Sequence, residues 1–315
     1  MEYLKAAGAI LAGIVLLVKA GDRLVHHAAA IAVARRVPKA VVGAVIIGFG
    51  TSLPEFFVSL AAALEGQPDI AIANVVGSNI ANVGMILGIG ALLVSLPVQR
   101  SVLRTDLPIG VLATLLLLIW VGPAGAVSRA AGGAMLAGFA VYLALAMRMT
   151  RRFRDEAAAV EGEGGGAGGA ALWILVGLVG LALGAHLLVY GAVGLARLLD
   201  VPERVIGLSV VAVGISHNEL AAMVAAARRR EVEPAVGNIA GSNLFNLLFI
   251  LGMTAVIKPI DVAPLMVERD FPAVAVFSVL AFPLLSRERR ILRGQGVLLV
   301  VAFLAYVAWT WLRKA

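Results

Sequence analysis

Residues 50–55 read Gly50-Thr51-Ser52-Leu53-Pro54-Glu55, and 164 residues later the chain reads Gly214-Ile215-Ser216-His217-Asn218-Glu219. The register holds well beyond these segments. Pro38 aligns with Pro202, Gly43 with Gly207 and Asn74 with Asn238. Gly77-Ser78-Asn79 aligns with Gly241-Ser242-Asn243, Asn82 with Asn246, Gly88 with Gly252, and Asp106 and Pro108 with Asp270 and Pro272. A gapless match over this length marks an internal repeat.

Of the 315 residues, 61% are hydrophobic and 14% charged, with a mean hydropathy of +0.98. That is far above the roughly 45–50% apolar content of a soluble domain, so a soluble fold is excluded. Runs free of Asp, Glu, Lys and Arg cover 70–99, 107–128, 130–147, 164–196, 234–257, 271–286 and 294–312. Two further spans, near 40–64 and 205–227, carry one interior carboxylate each, and the run 6–18 is a shorter first span. At about 20 apolar residues per crossing, these predict ten transmembrane helices.

The polar, glycine-rich stretch 148–169 reads as a cytoplasmic linker between two five-helix halves, 1–147 and 170–315. An odd number of spans per half inverts the second copy in the membrane, as in many secondary transporters. With the N-terminus outside, inner loops hold sixteen Lys and Arg and outer loops eight. The positive-inside rule therefore predicts a cell (inner) membrane protein with both termini outside. The net charge of +7 is read as a topology and lipid signal and not as a nucleic-acid footprint.

Glu55 and Glu219 are the only carboxylates well inside spans, and they are repeat mates. Such a residue costs roughly 2.5–3.5 kcal/mol on insertion scales, which makes it a functional-site hypothesis by default. Helical spacing puts Thr51 and Ser52 on the face of Glu55, and Ser216 on that of Glu219. In the next span Asn74, Ser78 and Asn82 fall at i, i+4 and i+8, repeated by Asn238, Ser242 and Asn246. Carboxylates, hydroxyls and amides are ligands for hard cations, whereas zinc or copper would take His or Cys. The chain has no cysteine, so thiolate sites and disulfides are excluded. Two carboxylates neutralise one Ca²⁺ or two Na⁺, and competition for one site is the basis of antiport. No H-E-x-x-H or G-x-S-x-G motif is present, so no enzyme is expected, nor a cofactor.

At these residues the chain resembles the cation/calcium antiporter superfamily, the sodium/calcium exchangers, whose two repeats carry G-T-S-x-P-E and a later G-S-N. The first copy matches fully; in the second, Ile215, His217 and Asn218 depart from the pattern. The resemblance implies an all-α membrane protein of two inverted five-helix repeats, of the compact prokaryotic type, exchanging Ca²⁺ for Na⁺. It implies cation ligation by Glu55, Glu219, Thr51, Ser52, Ser78, Asn82, Ser216, Ser242 and Asn246. A Ca²⁺/H⁺ antiporter using the same site, with His217 proton-linked, is the alternative. Three further expectations concern other residues. Asp106 and Asp270 cap helices before their prolines, Asn79 and Asn243 cap broken helices, and glycines around the site loosen them.

Overall fold

The computed structural model describes residues 1–34, 50–151 and 167–313. The expected linker lies largely outside them, as do Pro38, Gly43 and Gly48. The chain is all-α, and its elements recur at the 164-residue offset. In the first half they are α1 (Glu2–Ala34), α2 (Leu53–Leu64), α3 (Pro68–Leu93), α4 (Val102–Val121) and α5 (Arg129–Arg151). In the second they are α6 (Ala167–Leu199), α7 (Glu203–Ile215), α8 (His217–Arg229), α9 (Glu233–Ile257), α10 (Phe271–Glu288) and α11 (Arg293–Leu312). Among the described residues six helices are long and apolar enough to cross a membrane alone, and the bent pair α7–α8 makes a seventh. The shorter apolar helices α2 and α5, together with α10, complete the two sets of five.

Two small antiparallel ladders tie the halves together. Leu96–Pro97 (β1) pairs with Arg290–Ile291 (β4), and Ala126–Val127 (β2) pairs with Ile260–Asp261 (β3). Each ladder is the repeat image of the other, the arrangement a pseudo-two-fold axis requires. The same axis governs helix packing. An added Cβ on Gly88 of α3 would lie 3.2 Å from the Gly296 carbonyl oxygen of α11; on Gly252 of α9 it would lie 3.0 Å from the Gly132 carbonyl oxygen of α5. Each repeat's third span is thus clasped by the other repeat's last. Without a water-driven hydrophobic force in lipid, such backbone-close contacts carry the packing.

Helices α1 and α6, 33 residues each, are about 50 Å long at 1.5 Å per residue and run side by side. Gly13 lies against Gly184 and Leu188, and its mate Gly177 lies against Ala20 and Leu24, the mates of those two. The pair is therefore two-fold symmetric within itself. It does not sit symmetrically on the rest. Helix α6 packs along α2, while no comparable packing joins α1 to α8.

Two expectations are corrected. Asp106 and Asp270 make no side-chain cap at a helix start. Their carboxylates accept hydrogen bonds from Tyr142 (3.2 Å) and Tyr306 (2.9 Å), again repeat mates. A tyrosine hydroxyl from a neighbouring span supplies a donor that holds fast in an apolar medium. Arg204, counted among the outer loop charges, is 2% exposed and donates from Nη1 to Asp270 Oδ2 at 2.5 Å.

Candidate functional site

Both signature segments lie where a span is interrupted. Thr51 and Ser52 form a turn, and Pro54 in the first turn of α2 has no N–H to extend a helical ladder backward. In the second half the axes of α7 and α8 differ by 43° on either side of Ser216. Asn218 holds the place of Pro54, so a different group makes this break. The Nδ1 of His217 bonds the Gly214 carbonyl at 3.1 Å, occupying the acceptor that a continuous helix would give to the N–H of residue 218. His217 is exposed and turns to its own broken span. Thr51, Ser52 and Glu55 therefore flank a break; they do not share one face of an unbroken helix.

Around these breaks the structure gathers eight of the nine expected residues. Ser52, Glu55, Ser78, Asn82, Ser216, Glu219, Ser242 and Asn246 are each no more than 3% exposed. In every one an oxygen is buried without a hydrogen-bond partner: the four serine Oγ atoms, Oε2 of both glutamates and Oδ1 of Asn82 and Asn246. The ninth, Thr51, is half-buried. A buried acceptor left unpaired costs about 1–3 kcal/mol, so native proteins keep few. The eight fall in two repeat-related sets and leave oxygens free to ligate; Asn74 Oδ1, Ser95 Oγ and Thr254 Oγ1 are also unpaired but have no such repeat mates. Glu55 also lies near enough to Glu219 to feel its charge.

Sequence reasoning left Asn79 and Asn243 outside the site, yet they orient it. Asn79 Nδ2 donates to the Asn243 carbonyl at 3.1 Å, and Asn243 Nδ2 to the Asn79 carbonyl at 3.4 Å, across the pseudo-two-fold axis. They cap no broken helix. Their side-chain oxygens accept from the site amides: Asn82 Nδ2 to Asn243 Oδ1 at 2.8 Å, and Asn246 Nδ2 to Asn79 Oδ1 at 3.0 Å. With each NH₂ group so engaged, Asn82 and Asn246 present only oxygen to the centre. The repeated G-S-N motif was the available signal; that its asparagines meet across the axis needed the tertiary structure.

Asn74 serves differently, its Nδ2 donating to the Glu55 carbonyl (3.0 Å) and Ser59 Oγ (2.8 Å), which fixes α3 to the start of α2. The second half has Met223 where the first has Ser59, so this clasp belongs to one repeat only. Two nearby glycines pack tightly against neighbouring spans, and one of them, Gly84, lies in the π-helical turn Asn82–Leu87. A Cβ at Gly77 would lie 2.7 Å from Ala212 Cβ, and one at Gly84 would lie 2.7 Å from Phe303 Cβ. Among the described residues no group of three or more His, Asp or Glu gathers, so the centre rests on two carboxylates and neutral oxygens.

The family model for the sodium/calcium exchanger protein matches residues 5–148 and 169–312. The chain is 34% identical over 319 residues to the inner membrane protein YrbG of Escherichia coli, covering 97% of this chain and 96% of that one. It is 30% identical to the sodium/calcium exchanger MaX1 of Methanosarcina acetivorans, covering 95% and 96%. Its fold is similar to that of the sodium-calcium exchanger NCX_Mj soaked with Na⁺ and Sr²⁺, with a TM-score of 0.64, 28% identity and coverage of 98% and 99%.

Proposed function

Because the chain belongs to the sodium/calcium exchanger family, a family of membrane transporters and not of enzymes, we propose that it exchanges Ca²⁺ for Na⁺ by alternating access at the paired glutamates. The observation that carries this reading is the set of eight unpaired buried oxygens, two of them carboxylate, drawn equally from the two repeats. Calcium takes six to eight oxygen ligands at flexible geometry, and such a set supplies them. Glu55 and Glu219 are the central ligands, joined by Ser52, Ser78, Asn82, Ser216, Ser242 and Asn246, with Thr51 contributing from the break. The charge of −2 balances one Ca²⁺ or two Na⁺, so either load leaves the buried centre similarly neutral.

The halves 1–147 and 170–315 each contribute one set of ligands to the shared site, and the charge asymmetry of the loops supports both termini outside. Reconstituted liposomes test the reading. An outward Na⁺ gradient drives ⁴⁵Ca²⁺ uptake, and Glu219→Gln abolishes it. Uptake driven by an outward H⁺ gradient alone would replace the sodium reading with Ca²⁺/H⁺ exchange, and uptake under neither gradient would refute both.

A further inference from the structure

Away from the cation site, two repeat-related charge pairs stand in different states. Glu65, just after α2, bonds the Nδ1 of His186 on α6 at 2.8 Å, an ion pair whenever the imidazole is protonated. The repeat mates of these residues are Arg229, at the end of α8, and Asp22 on α1. These again have opposite charges, with the signs exchanged between the helices. Both are exposed, and no described residue pairs with either.

The difference follows from the placement of the α1–α6 pair. With α6 along α2, Leu53, Phe57 and Ala61 are partly covered. Their mates on α8, His217, Ala221 and Ala225, are exposed because α1 does not lie there. Since the α1–α6 pair is symmetric within itself, shifting it to the other side of the axis would set α1 on α8 as α6 is set on α2 here. That shift brings Asp22 to Arg229 and separates His186 from Glu65.

We propose that Glu65–His186 and Asp22–Arg229 are alternating latches, one closed in this conformation and the other in its inverted counterpart, each biasing the equilibrium between them. The latches sit at opposite faces, since Glu65 ends the first repeat's half-span and Arg229 ends its inverted mate. The inference rests on the alternating-access reading but not on the identity of the ions. Exposed pairs of this kind bias an equilibrium about two- to fivefold.

The absence of native cysteine makes the test clean. In membranes, Asp22→Cys with Arg229→Cys is oxidised with copper phenanthroline in Ca²⁺, in Na⁺ and in neither; Glu65→Cys with His186→Cys is treated in parallel. Both pairs cross-link, ions that raise one yield lower the other, and either cross-link stops ion flux until reductant is added. Adding Glu65→Ala to the 22/229 double-cysteine protein, or His186→Ala instead, raises its cross-linking rate about two- to fivefold, because the state in which those positions meet is the less populated one. No 22–229 cross-link under any ion condition in a transporting protein, yields that rise together, or a rate unmoved by both alanine variants would overturn the latch. Latches that alternate in a protein showing no Ca²⁺ uptake under either gradient would instead refute the ion assignment and leave the latch standing.

Discussion

Replacing Arg204 with Met removes one partner of an ion pair that is 2% exposed on one side and 0% on the other. Asp270 then keeps a single donor, Tyr306 at 2.9 Å, for two buried oxygens. Breaking a buried pair from one side costs about 3–5 kcal/mol, because the remaining charge is left uncompensated in a low dielectric. At the lower slope of roughly 2 °C per kcal/mol, thermal unfolding of the detergent-solubilised protein falls by about 6–10 °C. Asp270→Asn alone costs a similar amount, since Arg204 already has Nε and Nη2 without partners and then loses its counter-charge. The double variant Arg204→Met with Asp270→Asn removes both charges and keeps an acceptor for Tyr306, so most of the loss returns. The first repeat supplies an internal control. Asp106 is held by Tyr142 as Asp270 is by Tyr306, but the mate of Arg204 is Ala40. Among the described residues no cation pairs with Asp106, so Asp106→Asn costs near the 1 kcal/mol of an ordinary hydrogen bond. A double variant as unstable as the singles, or an Arg204→Met protein melting with the wild type, would refute the reasoning.

Asn79→Leu frees the Asn246 amide to turn its NH₂ toward the site, which raises the Ca²⁺ concentration for half-maximal uptake about tenfold or more; ⁴⁵Ca²⁺ uptake curves check it, and an unchanged half-maximal concentration would refute the orienting role. Gly77→Ala places a Cβ 2.7 Å from Ala212 and destabilises by about 1–3 kcal/mol, while its repeat mate Gly241, with nothing within 4 Å, tolerates Ala; paired thermal melts check the contrast. His217→Leu leaves the pH profile of uptake unchanged, since the ring serves the Gly214 carbonyl at the break; a profile displaced by the substitution would support the proton-linked alternative.

Much of this protein is written in one dimension. The offset of 164, the odd number of spans per half and the two lone intramembrane glutamates define an inverted-repeat transporter, because a bilayer admits few solutions for apolar segments and penalises a buried charge unless it has a use. The serines and asparagines of the site were readable as a stripe on the third span and its mate. Where local rules failed, tertiary structure overrode them. Asp106 and Asp270 precede prolines in the manner of caps, yet distant tyrosines claim their oxygens. Arg204 looks like a loop charge and is buried.

The sequence by itself determined the fold class, the repeat and which oxygens gather. Only the tertiary structure decided how they are aimed. Whether an amide offers its oxygen or its nitrogen depends on what meets its other end, and that partner, Asn79 or Asn243, comes from the opposite repeat about 160 residues away. The same holds for the latches. A repeat fixes two equivalent arrangements of α1 and α6 on the core, but which of the two is occupied depends on side-chain contacts between segments far apart in the chain, and periodicity carries no trace of them.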